Sequence, residues 1–205
     1  MSLTPSKTSN SKIIPGFANF GRDFEKIINS EIWSRVQDDF NYASRIHTVG
    51  NGGNLAVCDH GAIDIARLTN KSASAPGSGI LASSLINDVS HDEWVKNWLS
   101  ICLRGLSGDL ISQTMLIGVS SSGYSKNICL ALDLAIEKGC KACLISAKEP
   151  DIIGQYNTVI LGVDEYHTSE VLTLSLFYQL IHGAGFKCPS ISDSTKRDKI
   201  DDYSY

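Results

Sequence analysis

No apolar run in these 205 residues approaches the roughly 20 residues that a membrane-spanning helix requires. The first fifteen residues are polar and lack the apolar core of a signal peptide. The longest basic cluster is the pair Lys196-Arg197, and the net charge of -4 argues against a surface that follows nucleic-acid phosphates. We therefore expect a cytoplasmic protein with a small soluble ligand and with neither a membrane nor nucleic acid as a direct partner.

Two nucleotide-binding signatures are also absent. A Walker loop would need Gly-Lys-Ser/Thr, and a dinucleotide site would need the full G-x-G-x-x-G pattern with an acidic residue on the next strand. Neither pattern occurs in the chain. ATP and NAD are therefore disfavoured, and we expect no nucleotide cofactor.

The cysteine pattern does not indicate a disulfide framework. The six cysteines are irregularly spaced, and a chain of this length can bury its own core. Cys140 and Cys143 have the C-x-x-C form, but they lie in an apolar stretch typical of a buried strand, and no second pair completes a zinc site. We therefore favour reduced, buried thiols over a redox or metal site.

Apolar residues recur at helical spacing from Phe17 to about Tyr42, which predicts one long amphipathic helix. The chain then alternates between apolar strands and amphipathic helices. The predicted strands span residues 45–49, 114–119, 141–146 and 158–161, and the helices about 54–68, 92–106, 125–138 and 169–182. A Ser/Ala/Gly/Pro loop at 71–79 leads to an apolar run at 80–86.

Strands that alternate with helices in this way predict a doubly wound α/β fold with a parallel sheet flanked by helices. The length favours a single domain. We place it at residues 17–185, between a polar segment at 1–16 and a polar tail at 186–205. Because the tail has few apolar anchors, we expect most of it to be mobile unless a neighbouring subunit holds it.

A glycine-rich turn, Gly50-Asn51-Gly52-Gly53-Asn54, follows the first predicted strand and opens the next helix. Glycines let the backbone approach a ligand closely, and the helix behind them presents free N–H groups and a partial positive charge. The turn therefore predicts an anion site. Its candidate ligand groups are Asn51, Gly52, Gly53 and Asn54. A tight turn without a ligand explains the same residues.

A serine-rich turn follows the strand at 114–119. Ser120, Ser122 and Ser125 place three hydroxyls in one turn, and the backbone N–H groups at the next helix start complete a cradle for a phosphate. Ser121 lies in the same turn and belongs to the candidate site. The alternative is that these serines cap the helix, which explains one of them better than three.

An acid–base pair lies on the helix behind the glycine-rich turn. His60 and Asp64 are four residues apart and therefore share one helix face. A histidine beside a carboxylate can act as a general base or acid, or the two side chains can bind a metal. This pair is our candidate for that chemistry. The structural alternative is a hydrogen-bonded histidine and a carboxylate that only support the helix.

Together these motifs resemble the sugar isomerase (SIS) family, and within it the phosphoheptose isomerases. The resemblance rests on Gly50-Asn51-Gly52-Gly53 with Asp59-His60, and on Ser120-x-Ser122-Gly123-x-Ser125-x-Asn127. It covers roughly residues 17–183 and implies a flavodoxin-like sheet and a homotetramer. It also implies a phosphosugar, such as sedoheptulose 7-phosphate, whose phosphate is held by the serine-rich turn. His60 and Asp64 would be catalytic residues or ligands of a metal, usually zinc.

The chain departs from the family's pattern in the catalytic part. Asp64 stands where the family has glutamate, and the family's glutamine and histidine from the last helix fall on Ser169 and Phe177. Neither a hydroxyl nor a phenyl ring replaces an imidazole, and His167 and His182 lack the matching spacing. We predict a diverged phosphoheptose isomerase. The alternative is a non-catalytic phosphosugar-binding module that acts as a sensor or as a tetrameric scaffold for a protein partner.

Overall fold

The computed structural model of the chain describes residues 13–150 and 154–191. These residues form a five-stranded parallel sheet with the order β2-β1-β3-β4-β5. The strands are β1 (Arg45–Val49), β2 (Ser72–Ser74), β3 (Thr114–Val119), β4 (Lys141–Ser146) and β5 (Asn157–Ile160). The order reverses between β1 and β3, where a doubly wound sheet places its ligands. The predicted α/β fold class is confirmed.

In the described part of the chain, a 3₁₀ helix (Pro15–Asn19) precedes eight α-helices. They are α1 (Phe20–Ile28), α2 (Glu31–Tyr42), α3 (Gly53–Leu68), α4 (Gly79–Asp88), α5 (Trp94–Leu103), α6 (Gly108–Ser112), α7 (Lys126–Lys138) and α8 (Tyr166–Gly183). Within residues 13–150 and 154–191, no helix is long and apolar enough to cross a membrane.

Helices cover both faces of the sheet, and the central strand β3 is buried along its whole length. Its side chains alternate between two layers. Met115 and Ile117 pack with α1, α2, α3 and α8, whereas Leu116 packs with α4, α5 and α7. Because both faces of β3 are covered, its sequence is a continuous apolar run. Ligands are therefore expected at the strand ends.

The N-terminal region is two helices, so the prediction of one long helix is wrong. α1 ends at Ile28 and α2 begins at Glu31. Between them, the Ser30 hydroxyl accepts the Trp33 N–H at 3.2 Å and donates to the Ile27 carbonyl at 2.6 Å. A serine that satisfies helix-end groups in this way favours a new helix start over continuation.

Two short elements were not predicted. β2 lies inside the loop at 71–79 and pairs with β1 from Arg45↔Ser72 to His47↔Ser74. α6 is a five-residue helix between α5 and β3, and the apolar run at 80–86 belongs to α4. Residues 1–12 and 192–205, which contain most of the polar end segments, lie outside the described residues. The predicted domain limits therefore remain predictions.

A buried histidine on β1 couples stability to pH. His47 is 4% exposed, its Nδ1 lies 2.9 Å from the Ser74 hydroxyl, and its ring packs edge-on against Trp98 at 5.3 Å between centroids. Burial, with a smaller contribution from the Arg45 charge, lowers the pKa of His47 to about 4. The imidazole is therefore neutral in the folded protein at neutral pH.

Because the folded pKa of His47 lies below the unfolded value of about 6.5, its contribution to stability is complete above pH 6.5 and is lost as the pH falls toward 4. We expect the free energy of unfolding to decrease by about 2 kcal/mol between pH 7.5 and pH 5 through this residue. Urea denaturation at both pH values measures the loss. His47→Gln should abolish it, whereas the exposed-residue control His91→Gln should retain it, and equal losses in all three proteins would contradict the assignment.

Candidate functional site

The two predicted turns lie side by side at the carboxyl edge of the sheet. β1 ends at Val49 and β3 at Val119, and the two strands are direct neighbours with Val49 opposite Gly118. The glycine-rich turn leads from β1 into α3, and the serine-rich turn leads from β3 into α7. The structure therefore places both turns at the position where the strand order reverses, the usual ligand position in such folds.

Amide side chains hold the glycine-rich turn against its neighbour. Gly52 takes a φ of 56°, a conformation that favours glycine, just before α3 begins. The side chains of Asn51 and Asn127 exchange two hydrogen bonds of 3.0 and 2.8 Å. The buried Asn54 donates to the Ser121 hydroxyl at 3.0 Å. The turn is thus fixed by contacts between residues that both motifs contribute.

A carboxylate lies over the start of α3. The Glu170 carboxylate occupies the space that a Cβ on Gly53 would enter. His167 approaches the same carboxylate at 3.8 Å. A negative charge at a helix N-terminus is favourable because it faces the positive end of the helix dipole. The chain therefore supplies its own anion at the first of the two turns.

The serine hydroxyls of the second turn point in three directions. The Ser120 hydroxyl is buried and donates to the Ser125 hydroxyl at 2.9 Å. Ser121 faces the first turn and lies 3.2 Å from the Ser169 hydroxyl. Ser122 is exposed, and its hydroxyl accepts the Tyr124 N–H at 3.2 Å. The structure brings Ser120 and Ser125 together and leaves Ser122 as the hydroxyl that faces solvent.

A cavity of about 200 Å³ opens beside the serine-rich turn. It is lined by Ser121, Ser122, Ala147, Lys148, Asp164, Glu165 and Tyr166. Lys148 follows β4, and its ammonium lies 3.0 Å from the Asp164 carboxylate. The cavity thus joins the ends of three strands and the start of α8, and it combines hydroxyls with both signs of charge.

A larger cavity, of about 490 Å³, lies at the opposite edge of the sheet. Its lining includes Lys141 and Asn157, the first residues of β4 and β5. Both side chains are already bound to the Asp39 carboxylate, at 3.2 and 3.0 Å. Because its polar groups are paired with one another and it lies far from both turns, this cavity is the weaker candidate for a ligand.

The predicted acid–base pair is formed, and it includes a third residue. His60 Nε2 lies 3.1 Å from Asp64 Oδ2 and 3.1 Å from the Tyr178 hydroxyl. The His60 side chain is 55% exposed and that of Asp64 is 15% exposed. Arg67 lies 3.6 Å from the other Asp64 oxygen. The imidazole is thus the member of the group that a ligand reaches most easily.

Tyr178 carries a neutral hydroxyl. Burial raises the pKa of Tyr178, and the Asp64 charge raises it further. A phenol in this state donates a hydrogen bond and does not act as a base at neutral pH. His60, Asp64 and Tyr178 together form what we call the His60 cluster, which contains one imidazole, one carboxylate and one neutral hydroxyl donor.

The two positions where the family's other catalytic residues fall are both buried in the core. Phe177 is fully buried, and its ring fills the space that a side chain on Gly61 would need. Ser169 is 1% exposed and lies against Ser121. His167 and His182 are exposed, and among the described residues they are not part of the His60 cluster. Ser169 and Phe177, which stand where the family has a glutamine and a histidine, are therefore packed as core residues and do not face a ligand.

The side chains that the structure describes do not by themselves form a zinc site. Zinc sites in proteins take three or four ligands from the chain, and His60 and Asp64 supply two. Within residues 13–150 and 154–191, no group of three or more His, Cys, Asp and Glu side chains is placed to hold a metal. Cys140 and Cys143 are buried free thiols, and burial raises the pKa of Cys140 to about 11. Zinc remains an expectation from the resemblance alone.

Comparison with known proteins identifies relatives of this chain. No protein-family model matches it. It is 28% identical over 146 residues to the phosphoheptose isomerase of Syntrophotalea carbinolica. The aligned segment covers 68% of this chain and 67% of that protein. It is also 28% identical over 150 residues to the phosphoheptose isomerase of Haemophilus ducreyi, with 72% and 74% covered. The chain is thus similar to phosphoheptose isomerases over about two thirds of its length.

The extent of the match differs among these phosphoheptose isomerases, since it spans 57–74% of the relative's own length. The solved structure of the phosphoheptose isomerase from Neisseria gonorrhoeae matches with a TM-score of 0.63 at 19% identity. That match covers 82% of this chain and 94% of the other. It supports the predicted α/β fold, with one parallel sheet between two helical layers.

Three side chains of the candidate site were not found from the sequence. Tyr178 lies 118 residues from His60 along the chain, and neither Glu170 nor Lys148 belongs to a local motif. Each of them approaches the site from an element remote in sequence, so no spacing rule could place it there. The position of Lys148 directly after a strand end was the one usable signal, because ligands bind at that edge.

Proposed function

We propose that the chain is a sugar-phosphate isomerase that interconverts the aldose and ketose forms of a phosphosugar such as sedoheptulose 7-phosphate. The observation that carries the proposal is the His60 cluster on the helix that starts at the glycine-rich turn. His60 lies seven residues after Gly53, or roughly 10 Å along α3. A sugar phosphate bound at the turns can therefore extend along this helix toward the imidazole.

In this proposal the contact with Asp64 fixes the tautomer of His60. Nε2 faces both the Asp64 carboxylate and the Tyr178 hydroxyl. Because the carboxylate accepts a hydrogen bond, we assign the imidazole proton to Nε2, and the Tyr178 hydroxyl then donates its own proton to a different acceptor. Nδ1 is then the basic nitrogen. It removes the proton from the carbon next to the carbonyl to give the enediolate, and Asp64 stabilises the imidazolium that forms. Return of this proton to the neighbouring carbon, together with transfer of the hydroxyl proton to the former carbonyl oxygen, completes the conversion.

Tyr178 supplies the neutral donor beside the imidazole, and we assign it to the oxygen that becomes negative in the enediolate. Tyr178→Phe removes only the hydroxyl. We expect the turnover rate to decrease about tenfold, the value of one hydrogen bond to a charged group, with the Kd for the phosphosugar unchanged. Exchange rates and titrations of the variant measure both quantities. Tyr42→Phe, at the other end of the sheet, is the control, and equal rates in both variants would contradict the role of Tyr178.

Proton NMR in deuterated water tests the proposed reaction directly. The purified protein is incubated with sedoheptulose 7-phosphate, and deuterium at the carbon next to the carbonyl is followed in a single turnover. The proposal predicts incorporation of deuterium together with the formation of the aldose. Ligand binding without exchange would overturn it and would instead identify a phosphosugar-binding module.

We also propose that the protein acts as a homotetramer in the cytoplasm. α3 and α8 carry exposed apolar side chains, Ile63 at 55% and Val171 at 44% exposed, and Ile63 lies three residues after the exposed His60 on α3. Apolar side chains next to a reactive group favour a subunit interface over a free surface. All six cysteines are free thiols, as expected in a reducing compartment. Light scattering should give four times the mass of one chain, and the mass of a monomer would contradict the assembly.

A further inference from the structure

The glycine-rich turn already holds an anion. The Glu170 carboxylate covers Gly53 at the start of α3, where it interacts favourably with the helix dipole. The side-chain amides of Asn51 and Asn54 are engaged with Asn127 and Ser121. A phosphate at this turn would meet a carboxylate of the same sign. A phosphate that binds at the first turn therefore has to displace this carboxylate.

The serine-rich turn opens onto the 200 Å³ cavity, whose lining carries one ammonium and two carboxylates. Asp164 is paired with the ammonium of Lys148, and Glu165 accepts the Thr168 hydroxyl at 3.5 Å. Lys148 is the one basic side chain among its described lining residues, and the exposed hydroxyl of Ser122 lies on the same lining. An ammonium group binds a phosphate as a point charge with three rotatable donors. Residues 120–125 contain no basic side chain, and Lys148 supplies one in the cavity beside them.

The partner of Lys148 is easily displaced. The Lys148 and Asp164 side chains are 63% and 85% exposed, and exposed ion pairs contribute little to stability. A phosphate monoester carries close to two negative charges at neutral pH, so it attracts the ammonium more strongly than one carboxylate does. We propose that Lys148 binds the phosphate group of the sugar in this cavity and leaves Asp164 when the ligand arrives. This inference rests on the proposed phosphosugar ligand.

Titration with inorganic phosphate and with sedoheptulose 7-phosphate, followed by ³¹P NMR, tests the assignment. Lys148→Met should raise both Kd values about tenfold, as expected for the loss of one charge-assisted hydrogen bond. Asp164→Asn should lower them about threefold, because the ammonium is then free. Lys138→Met is the control, since Lys138 is paired with Glu137 at the end of α7, and its Kd values should match those of the parent.

The outcomes separate this inference from the proposed function. If the parent binds both ligands and Lys148→Met binds them with unchanged Kd, the assignment of Lys148 is overturned while the isomerase proposal remains. If the parent binds neither ligand, the assignment of Lys148 and the phosphosugar proposal both fail. Urea denaturation shows whether each variant is folded. If Lys148→Met does not fold, the Kd values of Asp164→Asn still test the assignment. An unchanged Kd in Asp164→Asn would also contradict the exchange of partners.

Discussion

Replacing His60 with glutamine is expected to slow deuterium exchange into the bound phosphosugar by about 10²–10⁴-fold, the contribution of a positioned proton-transfer group. Glutamine keeps a donor for Asp64 but has no pKa near neutrality, so it does not carry the proton. The imidazole is 55% exposed, and the substitution should therefore change the rate without disturbing the core. Single-turnover NMR in deuterated water measures the effect.

The control for this experiment is His182→Gln, which changes an exposed histidine in the last turn of α8. It should leave the exchange rate within about twofold of the parent, because surface substitutions away from a site have small effects. The Kd for sedoheptulose 7-phosphate should be similar in all three proteins. A His60→Gln rate equal to that of the parent would show that another group removes the proton.

Most of the fold was predictable because its signals are local. The buried strand β3 (Thr114–Val119) is a continuous apolar run, and the turns after β1 and β3 contain the glycines and serines that such junctions need. β2 was not predictable, because Ser72–Ser74 carries no strand pattern and is defined by its backbone pairing with β1. The break at Ser30 was missed because the apolar periodicity continues through it.

The composition of the candidate site was only partly predictable, for a physical reason. His60 and Asp64 lie on one helix, so their spacing predicts their 3.1 Å contact. Tyr178 and Glu170 reach the site through the packing of α8 against α3, and the register of two helices depends on the side chains at their interface. Phe177 is part of that interface. The phenyl ring that replaces the family's histidine therefore belongs to the packing of α8 against α3.

Phe177 occupies a position that the resemblance associates with a catalytic histidine, but its surroundings are those of a core residue. It is 0% exposed and packs with Leu172, Leu176 and Leu180 of the same helix. Its ring lies where a Cβ on Gly61 would be, with Cδ2 at 2.6 Å from that position. The absence of a side chain at Gly61 and the presence of a ring at Phe177 are therefore complementary. A ligand does not reach this position without opening the core.

Phe177→Ala is expected to lower the free energy of unfolding by about 3–5 kcal/mol, the cost of truncating a buried phenylalanine and leaving a cavity. Gly61→Ala should cost about 1–3 kcal/mol, because the added methyl group overpacks the same interface. In the double variant the new methyl group enters the space that the ring has left, so the combined loss should be smaller than the sum of the two. Urea denaturation of the four proteins measures this coupling. Phe186→Ala, at a partly buried position, is the control with a smaller loss, and additive losses at positions 61 and 177 would show that the two residues do not share one space.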